Sequence, residues 1–151
     1  MTSLDPKKYS GVWYEFARTS NLKWEEECLT AKATYKWDET AQKLYITNSC
    51  YNGKGDLIYS RSGEATTTED SYVFDILFND GLPKDPKSNY VVEETNYKDY
   101  AIVSSYRENQ INHLWVLTRV AVPGKNLITN AMEKVQMYGI NPESLRINYV
   151  C

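Results

Sequence analysis

Few residues in this chain could carry out covalent chemistry, and their spacing limits what they can do. His113 is the single histidine. It lies in the polar run Arg107–His113, which reads as a surface loop, with no serine in a nucleophile turn nearby, so a Ser–His–Asp triad is not supported. Glu93 and Glu94 are adjacent carboxylates. Neighbours in a strand face opposite sides, so the two cannot flank one glycosidic bond. One of them must point inward unless the strand is bulged, and a buried carboxylate without a partner is costly. Three cysteines (Cys28, Cys50 and Cys151) leave one odd under any single pairing. With no CxxC spacing and one histidine, metal chemistry is not expected, and no cofactor is required.

At 151 residues the chain suits one domain, 1–151, with a single core. It is 42% hydrophobic and 25% charged, the composition of an ordinary globular domain rather than of a disordered or collagen-like chain. The net charge is −3 and the 17 Lys and Arg are scattered, so no basic stripe tracks phosphates and no nucleic acid partner is expected. No apolar run approaches the ~18 residues of a membrane span. The first residues carry no hydrophobic signal core, so either the chain is cytosolic or a signal has been removed. Aromatic residues make up 13%, with 13 Tyr and 4 Trp, amphipathic groups that suit a half-wet cavity or an interface.

The elements that must position these groups are short β-prone runs separated by turn residues. Gly11–Arg18, Cys28–Trp37, Lys43–Cys50, Leu57–Ala65, Ser71–Phe78, Tyr90–Thr95, Tyr100–Tyr106 and His113–Val120 read as eight strands. Pro123–Tyr138 then places Leu127, Ile128, Ala131, Val135 and Tyr138 at helical spacing, with Gly139 at its C-terminal cap. Ser144–Val150 reads as a short final strand. The expected architecture is all-β: an eight-stranded antiparallel up-and-down barrel with one helix packed outside. Eight strands leave an interior just wide enough for side chains or one small ligand. Alternation turns Tyr72, Phe74, Ile76 and Phe78 inward opposite Asp75, and Ala31, Ala33 and Tyr35 inward opposite Lys32.

Three segments carry a resemblance. Gly11-Val12-Trp13-Tyr14-Glu15, after a short helix at Asp5–Tyr9, resembles the GxWYE signature of lipocalins. Thr95-Asn96-Tyr97 with Tyr100-Ala101 looks like that family's TDYxxYA turn, with Asn96 where the family usually has Asp; Asn can make the same local bonds. Leu114-Trp115-Val116-Leu117-Thr118-Arg119 resembles its third motif, and order and spacing match over nearly the whole chain. Within the family the likeness is to the apolipoprotein D, bilin-binding and bacterial outer-membrane lipocalin group, through Gly-Val-Trp-Tyr-Glu-Phe-Ala-Arg and Ile-Thr-Asn-Ser-Cys-Tyr-Asn-Gly.

The resemblance implies that Trp13 plugs the closed end of the barrel with Arg119 stacked across it. It implies a Cys28–Cys151 disulfide, and with it a secreted, oxidising setting. Cys50 is then left over, as an inert thiol, an intermolecular bridge, a rival partner for Cys151 or a reactive pocket thiol. Trp24 falls in the loop that forms a lid in the family. Family members usually carry an apolar residue at the place of Glu93, which makes Glu93 the candidate for the inward carboxylate, in need of a partner such as Arg61, an ordered water or a cationic ligand group. Parity and resemblance together nominate Tyr35, Asn48, Phe74, Trp115 and Leu117 as wall residues, with Tyr59, Arg61, Glu93 and Trp24 as further ligand-binding candidates. The implied function is not enzymatic: a monomer or weak homodimer binding, carrying or sequestering a small hydrophobic ligand such as a fatty acid, lysolipid, steroid, retinoid or bilin. The alternatives are an interaction or inhibitor module on a filled barrel and, further off, a cysteine-dependent lipid isomerase.

Overall fold

A computed structural model describes residues 3–19, 30–79, 90–107 and 110–148. Alternating side chains run through eight strands: β1 (Gly11–Arg18), β2 (Thr30–Asp38), β3 (Lys43–Tyr51), β4 (Leu57–Thr67), β5 (Val73–Phe78), β6 (Tyr90–Thr95), β7 (Tyr100–Arg107) and β8 (Gln110–Thr118). Each pairs antiparallel with the next, β8 pairs with β1, and β1 pairs back with β2, which closes the barrel. A ninth strand, β9 (Arg146–Ile147), bonds to Ala17 and Arg18 at the far end of β1.

The strands lie where the turn chemistry puts them, apart from their ends. β8 begins at Gln110 rather than His113, because Tyr106 pairs with Ile111 and Arg107 with Gln110, so the hairpin continues through a segment that composition reads as loop. It also stops at Thr118 rather than Val120. The late helix, α2 (Lys125–Gln136), is shorter than its periodicity suggests, and Gly139 follows it with φ 79°, a left-handed conformation that releases the chain from the helix. The final strand reduces to two described residues, and residues 149–151 lie outside the description.

Burial divides into two cores. One lies inside the barrel and includes Trp13, Tyr35, Leu44, Ile46, Phe74 and Val103. The other lies between the barrel's outer face and α2, and includes Ala17, Ile102, Leu114, Val116, Ala131 and Val135. An ionic clamp adds to the second. The Glu94 carboxylate takes hydrogen bonds from the Tyr100 hydroxyl at 2.5 Å and the Lys134 ammonium at 2.6 Å. Burial raises the Glu94 pKa, but those two donors outweigh it and hold the carboxyl below its ordinary value.

The closed end is built from the first turn of chain. Asp5 caps α1 (Pro6–Tyr9) by accepting from the Lys7 and Lys8 amides. The Trp13 indole N–H donates to the Tyr9 carbonyl at 2.9 Å. The Arg119 guanidinium lies 3.8 Å over the Trp13 ring and donates to the carbonyls of Tyr97, Val12, Lys8, Tyr9 and Ser10. Gly11 is required beside it: its φ is +113°, and a Cβ there would stand 2.9 Å from Arg119 Nη1. In the β6–β7 turn Asn96 Oδ1 accepts from the amides of Asp99 and Tyr100, the local bonds expected of an Asp.

Candidate functional site

The inner wall follows from strand parity. Tyr35, Phe74 and Leu117 point into the barrel and are buried. Trp115 packs partly buried against the same core, as do Tyr72, Ile76, Tyr90 and Trp37. Asn48 continues the inward series of Leu44 and Ile46, while Tyr59 and Arg61 continue that of Ala65; all three are half-buried. The Arg61 guanidinium carbon lies 3.9 Å above the Phe78 ring, and Asn48 faces Arg61 across the β3–β4 ladder. Trp24, Cys28 and Cys151 lie outside the described residues.

Glu93 is not on this wall. Val92 pairs with Val103 and Glu94 with Ile102, so Glu93 is the extra residue of a β-bulge. Its carboxylate accepts from the hydroxyls of Ser104 at 2.6 Å and Tyr106 at 2.8 Å. Ser104 and Tyr106 alternate with Ile102 on the outer, α2-bearing face. Burial and the Glu93 charge together push the Tyr106 pKa up to about 12. The two adjacent carboxylates therefore both face outward, and neither meets Arg61.

The wall carries other polar groups instead. The hydroxyls of Tyr9, Tyr90 and Tyr35 meet deep in the barrel: Tyr9 and Tyr90 are 2.5 Å apart, and Tyr90 donates to Tyr35 at 3.0 Å. Burial drives the pKa values of Tyr9 and Tyr90 well above the ordinary phenol value. With the Phe74 ring 6.2 Å from that of Tyr90, the cluster forms a floor above Trp13. Glu15 and Arg18 also face inward, opposite Leu117 and Trp115, with Arg18 Nε 3.7 Å from Glu15 Oε1. Both are almost fully buried, which makes them an internal ion pair rather than an exposed patch.

His113 is not a surface residue. It sits inside β8 opposite Ser105, half-buried, with its ring 5.9 Å from that of Trp115, and burial lowers its pKa. Cys50 is 2% exposed at the inward end of β3 and is disulfide-bonded. The chain has only Cys28 and Cys151 to offer it as partners, so a bond at Cys50 competes with a Cys28–Cys151 staple. Among the described residues no three His, Cys, Asp or Glu side chains cluster as metal ligands would, and no helix is long and apolar enough to cross a membrane. Outside the barrel, an open groove of about 520 Å³ runs between α2 and the β6–β7 turn, lined by Asp99, Tyr100, Leu127, Asn130, Lys134 and Met137.

The wall as described can bury an apolar body against aromatic rings and orient a polar end by hydrogen bonds. Comparison with known proteins agrees with the fold. A lipocalin-like domain profile matches residues 4–149. The chain is 31% identical over 123 residues to a lipocalin of Acanthamoeba polyphaga mimivirus, covering 78% of this chain and 68% of that one. It is 23% identical over 163 residues to the chloroplastic lipocalin of Arabidopsis thaliana, covering 95% of this chain but only 46% of the plant protein. Among solved structures, the cockroach allergen Per a 4 superposes with a TM-score of 0.74 at 22% identity, covering 98% of this chain and 89% of that one, a likeness of fold alone.

Proposed function

The chain belongs to the lipocalin family, and on that premise we propose that its barrel binds a small hydrophobic or amphipathic molecule and carries or sequesters it. Family members are in general binding proteins rather than enzymes. The observation that supports a carrier is the split in the interior. Tyr9, Trp13 and Phe74 are fully buried and form a floor, while Asn48, Tyr59, Arg61, Phe78, His113 and Trp115 above it stay half-buried. Side chains that filled the whole barrel would be buried at both levels. Binding is then driven by burial of ligand surface at about 25 cal/mol per Å². Fatty acids, lysolipids, steroids, retinoids and bilins fit that chemistry, and the reading needs no catalytic group.

Native mass spectrometry of the protein from its own source is expected to show an added mass that disappears on denaturation, whose value sorts a bilin from a lipid. A bare protein that also leaves Trp fluorescence unchanged across a panel of lipids overturns the carrier reading. The filled lower barrel then favours an interaction module. A secreted setting is part of the proposal, supported by the bonded Cys50. Thiol titration of the unreduced protein is expected to find one reactive thiol per chain, with Cys50 blocked. Three titratable thiols would remove that support.

A further inference from the structure

Resting on the carrier reading, we infer that the tyrosine floor is a depth stop and that the ligand is a medium-chain amphiphile, with a tail of about eight to ten carbons held pointing down. Three aromatic side chains close the barrel from within: Tyr35 from β2, Phe74 from β5 and Tyr90 from β6. Beneath them Tyr9 and Trp13 have no exposed surface, and Phe74 has none either. The rings lean on one another, with centroids 5.3 Å apart for Tyr9 and Tyr35, 6.1 Å for Tyr35 and Tyr90, and 6.2 Å for Phe74 and Tyr90. Hydrogen bonds pin them, because the Tyr90 hydroxyl bonds both Tyr9 and Tyr35. A tail that pushed past Tyr90 would break both bonds away from bulk water. That costs more than the burial of one or two further methylenes returns.

Above the floor the wall changes character. Ala33 and Ala31 continue the inward series of Tyr35 and put only methyl groups into the lumen. Asn48, Ile76, Phe78 and Trp115 point inward yet stay half-buried, so space inside the barrel reaches down to their level and to the half-buried Tyr90. Glu15 and Arg18 on β1 are almost inaccessible, which leaves the tail the inner faces of β2, β5 and β8. From Tyr35 up to Ala31, and from Leu117 up to His113, the wall climbs four residues. At about 3.3 Å per residue and a strand tilt of about 40°, that is a depth of about 10 Å, the length of about eight extended methylenes. Rings line the bottom, while Asn48, Arg61 and His113 put polar groups higher up, so the polar end of a ligand belongs at the mouth. Carbons beyond this length project past the described wall and gain little from burial.

The test titrates the full chain, stripped of ligand, with straight-chain carboxylic acids and straight-chain primary alcohols from C6 to C14, read by isothermal calorimetry. Two head groups separate tail length from head-group preference. In the wild type, affinity is expected to rise about fourfold for each added carbon up to about C10 and to level off beyond it. Phe74→Ala, which takes a ring out of the floor, should move that break to longer chains by about two carbons. Ile76→Phe, which fills space above the floor, should move it to shorter chains by a similar amount. Ile76→Phe opens no cavity, so it tests the idea even if Phe74→Ala fails to fold. Affinity that keeps climbing through C14, or that never rises with length, overturns the depth stop and leaves the carrier reading standing. A break that stays at the same length in Ile76→Phe does the same. Binding of neither series overturns the carrier reading along with it.

Discussion

Replacing Trp13 with Ala is expected to lower the unfolding free energy by about 3–5 kcal/mol, the range for deleting a large buried aromatic side chain. Trp13 has no exposed surface, its indole N–H is bonded to Tyr9, and its ring carries the Arg119 guanidinium at 3.8 Å. Removing the ring therefore takes away three things. The floor loses its largest side chain, the cation–π contact of about 1–2 kcal/mol is lost, and the guanidinium is left above a void. Arg119 would still reach the carbonyls of α1 and the β6–β7 turn, so part of the closed end should survive. That part should show as a barrel that stays folded but opens at lower denaturant, by about 2 M urea for a chain of this size. Trp13→Phe keeps a ring for Arg119 and should lose less than half as much. Urea unfolding followed by circular dichroism checks both variants. A loss below about 1 kcal/mol for Trp13→Ala would mean that the ring is not the plug its burial describes.

How much of this was legible in the sequence depended on whether strand parity held. From Leu44 through Ile46 to Asn48, and from Ala65 back through Arg61, alternation is unbroken and the inward residues follow from counting by two. Tyr35, Phe74, Trp115 and Leu117 were readable for the same reason. The misreadings sit at bulges. Glu93 is an inserted residue between Val92 and Glu94, which turns both carboxylates outward. Arg18, to which no direction is given from the sequence, points inward because the pairing shifts between Glu15 and Ala17. His113 follows another shift, near Asn112, inside a strand whose polar start reads as a loop. A bulge depends on pairing with a neighbouring strand, and that partner is not visible in a local run of sequence. Glu15 needs no bulge: two residues on from Trp13, it faces Leu117 inside the barrel, although it is not nominated from the sequence.

The tyrosine floor was hidden for a different reason. Tyr9, Tyr35 and Tyr90 are far apart in sequence, come from α1, β2 and β6, and meet only once the barrel is closed. Burying three phenols is tolerable because each hydroxyl finds another, and that mutual satisfaction can be tested at the hub. Tyr90→Phe removes the group that bonds both Tyr9 and Tyr35, and is expected to cost about 2–3 kcal/mol by leaving buried hydroxyls short of a partner. The sign of the pH effect follows from burial. Tyr9 and Tyr90 hold their protons well above the ordinary phenol value in the folded state, while the unfolded chain releases them near pH ~10. The folded protein therefore binds more protons in that window. Its stability is complete below about pH 10 and falls as pH rises further, by up to about 1.4 kcal/mol per pH unit for each such tyrosine. Tyrosinate absorbance should show these phenols ionising only together with unfolding, and Tyr90→Phe should make the alkaline decline shallower by about one proton. If all 13 tyrosines ionised near pH ~10 while the far-ultraviolet spectrum stayed native, the floor would have to be open to water.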